Sequence, residues 1–212
     1  MAEESIGGRA TAATLEALPR DQWRVLHDVP WPGRPHAAID HVVVGPSGVF
    51  VVDSKCWTGV VSVRDGVLRQ DRYSRQGAVT QSREAGRAIS RQLRTARCPV
   101  QPVLCLERNQ QISVECDGVL VCTTANIADL LQSRPRVLAD VEVQRIAHDV
   151  AARALQRRAV KGASSSSTGR GAAHLLGALA ALVVALVLVV RPDGAALEDL
   201  LRWIADRVES LG

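Results

Sequence analysis

The chain has 212 residues, room for one ordinary domain of about 150 residues plus appendages. With 47% hydrophobic and 23% charged residues it is not a disordered chain, and five cysteines at no metal-ligand spacing argue against a disulfide framework and for reduced, packing thiols. A formal charge of +4 and a pI near 9.1 suit a nucleic-acid or anionic-membrane partner without singling one out, and 3% aromatics leave few platforms for stacking bases.

Met1 to Gly8 holds two acids and no run of large hydrophobics, so no signal peptide is expected and the main domain is expected in the cytosol. Arg9 to Leu18 reads as a short helix stopped by Pro19, and Trp23 to Leu26 as a first strand. After the loop Pro30-Trp31-Pro32-Gly33-Arg34-Pro35 come two β-branched runs joined by Gly45-Pro46-Ser47-Gly48, the composition of a hairpin. With the loop centred between Pro46 and Ser47, Asp40 faces Asp53 across the ladder. Side chains alternate along a strand, so Asp40, Val42 and Val44 share a face with Val49, Val51, Asp53 and Lys55, and His41 faces the other way. Pro46 excludes a type I′ turn, so a four-residue loop is expected; it keeps this register, whereas a three-residue loop with a bulge would break it.

Directly opposed carboxylates, with Cβ atoms roughly 4.5–5.5 Å apart, repel each other, and a bound hard cation would offset that repulsion. The competing reading is a surface ion pair of Asp53 and Lys55 at a strand end, worth little energetically.

A second hairpin follows, Val60 to Val63 and Val67-Leu68, turning at Asp65-Gly66. From Val79 to Ala96 the period is helical, with Ala85, Ile89, Leu93 and Ala96 on one stripe and Arg83, Arg87, Arg91 and Arg94 on the opposite one. The arginines would either grip a phosphate backbone or form an ordinary solvated face. Val100 to Leu106 and Gly118 to Cys122 read as buried strands, and helices are expected around Ile127 to Leu131 and from Val141 to Val160.

Residues 161–171 form a Ser/Gly tether. Residues 172–190 carry no charge and only one mildly polar side chain, His174, over a length close to the ~30 Å core of a bilayer. A single transmembrane helix is expected, against the alternative of a buried helix of the main domain. Arg153, Arg157, Arg158, Lys161 and Arg170 make the N-terminal flank the more basic one, so the main domain is expected in the cytoplasm and the C-terminus outside the cell membrane. The tail, residues 191–212, places Leu197, Leu200, Leu201, Ile204, Val208 and Leu211 at helical spacing; it could lie on the outer membrane surface, pair with a second copy, or be an amphipathic cap with no partner.

Trp23 to Val29 followed by Ile39 to Gly59, with Asp40, Asp53-Ser54-Lys55 and Trp57, resembles the nuclease-related domain family, NERD. The likeness is specific over about Trp23 to Val63 and consistent in layout to about Leu155, giving a domain over residues 8–160. That family is assigned to the restriction-endonuclease-like PD-(D/E)xK superfamily. The resemblance therefore implies an α/β fold with a mixed central sheet flanked by helices. It makes Asp40 and Asp53 the acids, Lys55 the lysine and Gln81 the glutamine of the following helix. It implies Mg²⁺ or Mn²⁺ held by Asp40, Asp53 and the Ser54 carbonyl, and nucleic acid, DNA first, as partner and substrate of phosphodiester hydrolysis. Two positions depart from the pattern: the glutamate usual in the first helix falls on Gly8, and the second acid is Asp where Glu is common. These departures keep open the alternative of a catalytically degenerate, membrane-anchored interaction module.

Overall fold

The computed structural model describes residues 8–93 and 98–165, with side chains to residue 159. In chain order the elements are α1 (Arg9–Glu16), β1 (Arg24–Pro30), β2 (Ala38–Gly45), β3 (Gly48–Lys55), β4 (Val61–Arg64), β5 (Val67–Gln70), β6 (Tyr73–Ser74), α2 (Gln76–Gln92), β7 (Val100–Leu106), β8 (Val114–Cys116), β9 (Val119–Thr123), α3 (Ile127–Gln132) and α4 (Asp140–Ser165). Six strands form one mixed sheet in the order β1-β2-β3-β7-β9-β8. β1, β2 and β3 are antiparallel neighbours, β7 lies parallel to β3 and to β9, and β8 closes the far edge antiparallel to β9. β4, β5 and β6 form a separate small sheet.

The continuous valine runs of β2 and β3 follow from helices covering both sides of the sheet, which leaves no face for polar alternation. Val42, Val44, Val49 and Val51 pack with Ala85 and Ile89 of α2 and Val143, Ile146 and Val150 of α4. On the opposite face Val43, Phe50 and Val52 pack with Leu15 of α1 and Ile127 and Leu131 of α3. Helix α2 approaches the sheet so closely that a Cβ on Gly86 would lie 3.1 Å from the Pro102 ring.

The β2–β3 hairpin keeps the expected register, pairing Val42 with Val51 and His41 with Val52, but its loop is shorter than expected. Gly45 pairs with Gly48, leaving only Pro46 and Ser47 in the turn. Pro46 cannot take the positive φ of a primed turn, and Gly48 accommodates the resulting chain direction with φ 128. At Gly45 the constraint is space: a Cβ there would sit 2.2 Å from the Trp23 ring.

Elsewhere the chain departs from the sequence expectation mainly at element ends. β1 runs on to Pro30 because it pairs with β2 along its whole length, from Arg24 opposite Val44 to Pro30 opposite Ala38. The Asp65-Gly66 turn has positive φ at both residues, as its two-residue hairpin requires, and β6 and β8 are additions. α2 begins at Gln76, three residues earlier than its pattern suggested, and ends at Gln92. α4 continues to Ser165, so the first residues of the expected tether are helical. Among the described residues no helix is long and apolar enough to cross a membrane. Residues 172–190 and the tail 191–212 lie outside the described residues, as do Arg94 and Ala96.

Candidate active site

Continuing the hairpin register one step beyond His41 and Val52 sets Asp40 against Asp53 at the open end of the ladder. There they line a cavity of about 810 Å³ with Ser54, Lys55, Trp31, Trp57 and, from α2, Gln81 and Ser82. The structure thus gathers Asp40, Asp53, Ser54, Lys55 and Gln81 at one cavity. Asp40 is held by its Oδ2, which accepts the Ser54 backbone N–H at 2.8 Å. Lys55 Nζ lies 2.8 Å from Asp53 Oδ1. With side chains only 20% and 15% exposed, Lys55 and Asp53 form a sheltered pair rather than the surface one that spacing alone allows.

The other Asp53 oxygen, Oδ2, is buried and has no hydrogen-bond partner among the described residues. Burial pushes the Asp53 carboxyl up to about 6 against the opposing pull of Lys55, and the charge and hydrogen bond of Asp40 add to the rise. A buried carboxylate oxygen without a donor, beside a second carboxylate, is a site of unmet negative charge. Its donor chemistry, two carboxylates open to a wet cavity, fits a hard divalent cation that keeps several waters. The protein set is small: among the described residues no three His, Cys, Asp or Glu side chains converge in a way that could hold a metal.

The acid missing from position 8 has a local structural counterpart. Gly8 is the N-cap of α1 at φ 156, a conformation that L side chains rarely adopt. The cap is supplied from far away in sequence by Glu107, just past β7, whose Oε1 accepts the Thr11 N–H at 3.1 Å and the Thr11 hydroxyl at 3.2 Å. Its Oε2 accepts the Cys56 S–H at 3.0 Å, and that bond pushes the thiol up to about 11. Glu107 does not line the cavity.

Behind the acid site, on the α1 side of the sheet, lies a polar chain that sequence reasoning missed. Ser54 Oγ is 3.2 Å from His41 Nε2, His41 Nδ1 is 2.8 Å from His27 Nδ1, and His27 Nε2 is 2.8 Å from Glu16 Oε1. With both rings neutral the chain is self-consistent: Ser54 donates to His41, His41 to His27, and His27 to the carboxylate. Burial lowers the His41 pKa, and the His27 hydrogen bond lowers that of Glu16. The available signal was the pairing of His27 with His41 across β1 and β2, which becomes readable only once β1 is extended to Pro30.

The arginine stripe divides. Arg83 leans toward Asp117, 3.9 Å away, with its Nε buried and without a hydrogen-bond partner, whereas Arg87 and Arg91 are exposed. Arg94 is outside the described residues.

No curated protein and no solved structure is similar enough to match this chain. Residues 3–107 do match a family model, and that span contains the β2–β3 hairpin with Asp40, Asp53 and Lys55, and α2 with Gln81, and stops at the residue that caps α1. The match is to the nuclease-related domain, NERD, and the chain accordingly carries a nuclease-related domain over residues 3–107.

Proposed function

We propose that the domain is a metal-dependent nuclease acting on nucleic-acid phosphodiesters, tethered to the cytoplasmic face of the cell membrane by residues 172–190. The observation that carries the catalytic part is the partnerless, buried Oδ2 of Asp53 set beside Asp40 in a cavity that also holds Lys55. Asp40 and Asp53 would hold Mg²⁺ or Mn²⁺ together with the Ser54 carbonyl, and the ion would supply charge neutralisation and an acidified water. Lys55 is the residue for the substrate. Its ammonium, fixed by Asp53 Oδ1, orients the attacking water and offsets the charge that grows on the phosphoryl oxygens. Gln81 projects from α2 into the same cavity, where its amide can donate to a phosphoryl oxygen or accept from the water.

Two observations favour the second reading, an interaction module that no longer cuts: the absence of a third converging acid and the glycine backbone at position 8. The test is a melting curve of the protein with and without Mn²⁺, since a ligand bound only by the folded state raises the melting temperature. A rise that disappears in Asp40→Asn and Asp53→Asn, with cleavage lost in Lys55→Ala while the rise persists, supports the nuclease. No rise and no cleavage of DNA or RNA leaves the interaction module.

The membrane part rests on the uncharged run of residues 172–190 and its basic N-terminal flank. Retention in the membrane fraction after a carbonate wash is expected, with a reporter fused after Gly212 outside the cell. Recovery in the carbonate supernatant removes the tether.

A further inference from the structure

A second cavity, of about 480 Å³, is lined by Pro32 and Gly33 from the loop after β1, by Arg91 and Gln92 of α2, and by Arg153 and Arg157 of α4, with others. Three guanidiniums from two helices converge on it. None has a carboxylate within ion-pair distance among the described residues, although Arg34, Arg83 and Arg136 each have one. Like charges gathered around a concave wet space raise its potential and attract anions. Guanidinium forks match the paired oxygens of a phosphodiester.

Helix α2 links this space to the acid site. Gln81, Ser82 and Ala85 line the cavity of Asp40 and Asp53, and Ala88, Arg91 and Gln92 line the basic one. The loop after β1 does the same, with Trp31 at the first cavity and Pro32-Gly33 at the second. From Gln81 to Arg91 the helix rises about 15 Å, at roughly 1.5 Å per residue. A duplex strand advances about 3.4 Å per phosphate, so this offset is on the order of four nucleotides.

We propose that Arg91, Arg153 and Arg157 clamp a backbone phosphate about four nucleotides along the strand from the phosphodiester seated at Asp40, Asp53 and Lys55. The substrate is then a polynucleotide gripped at two points, and a dinucleotide reaches only one of them. The position of the reacting phosphate rests on the nuclease reading; the clamp itself does not. Contacts of this kind carry no base sequence and position the strand only.

The test is fluorescence anisotropy of the full-length chain in EDTA, with a labelled duplex of about 16 bp and a labelled dinucleotide, for wild type and the R91Q/R153Q/R157Q variant. The slope of log K against log salt for the duplex is expected to shrink by about two to three units, at roughly 0.9 per lost phosphate contact, while dinucleotide binding is unchanged. The melting temperature of the variant serves as the folding control, since all three side chains are exposed. An unchanged slope overturns the clamp; the nuclease reading then stands or falls on whether wild type cuts the duplex with Mg²⁺. A reduced slope supports the clamp even if wild type does not cut, in which case the nuclease reading alone fails. Loss of binding to phosphatidylglycerol vesicles with duplex binding intact assigns the cavity to lipid headgroups and also overturns the proposal.

Discussion

The two faces of one hairpin end handle polar groups in opposite ways. On the α1 side, Ser54, His41, His27 and Glu16 form a closed series in which each donor has an acceptor. On the α2 side, one residue away along each strand, Asp53 keeps a buried oxygen with no partner and shares a cavity with Asp40. The closed face fixes geometry: it anchors the strand ends by side chains in addition to the ladder. The open face keeps unmet charge, which is a stability cost that a ligand can relieve. Stability and ligand binding are thus assigned to opposite surfaces of the same residues.

The bluntest way to break this contrast is to remove both faces together. Gly45→Ala puts a Cβ into the Trp23 ring and is expected to cost about 3 kcal/mol or more, seen as a large fall in melting temperature or failure to fold. A smaller effect separates the faces. His41→Phe leaves the Ser54 hydroxyl and a His27 nitrogen without their partner, and should lower stability by about 1–3 kcal/mol in urea melts while the Mn²⁺-induced shift persists. If the shift vanished as well, the faces would not be independent.

Asp53→Asn works on the open face with the opposite sign. The folded pKa of about 6 lies above the model value of 3.8, so the folded protein binds the proton more tightly than the unfolded one. The resulting stabilisation is complete below the unfolded value and is lost as pH rises toward 6. Without metal, the amide variant should therefore be more stable than wild type at pH 8, by on the order of 2 kcal/mol, and the gap should narrow toward pH 4. A constant gap across that range would show that Asp53 does not titrate differently on folding. The smallest effect is kinetic: Cys56, exposed but raised to about 11 by its bond to Glu107, should alkylate with iodoacetamide more slowly at pH 8 than an ordinary exposed thiol. Glu107→Gln should restore part of the rate.

The open face was legible in the sequence and the closed face was not. Asp40 and Asp53 are joined by a short hairpin whose register follows from two valine runs and a Gly-Pro-Ser-Gly turn, so local pattern suffices. Even the mistaken loop length did no harm, because both loops are centred on the same point. Gln81 was assigned correctly to the cavity because helical phase is also local. The histidine chain needs the β1–β2 pairing, and the Glu107 cap joins residues 96 positions apart, so neither leaves a periodic trace. The arginine stripe shows the limit of phase alone: Arg83 and Arg91 share a helix face, but Asp117 holds the first and α4 brings company to the second.

The parallel pairing of β3 with β7 has a consequence for the order of assembly. The β2–β3 hairpin closes over two residues, whereas Val49 meets Val100 only after the chain has passed through the small sheet and α2. Short closures are fast and distant ones slow, so the hairpin is expected to zip first. Asp40 and Asp53 then come together while still hydrated, where water screens their repulsion. Their desolvation waits for α2 to settle over the sheet. Docking of that helix should consequently be a proton-linked step, with refolding faster below pH 6 or in the presence of a divalent cation, because only then does the helix close over a neutralised pair.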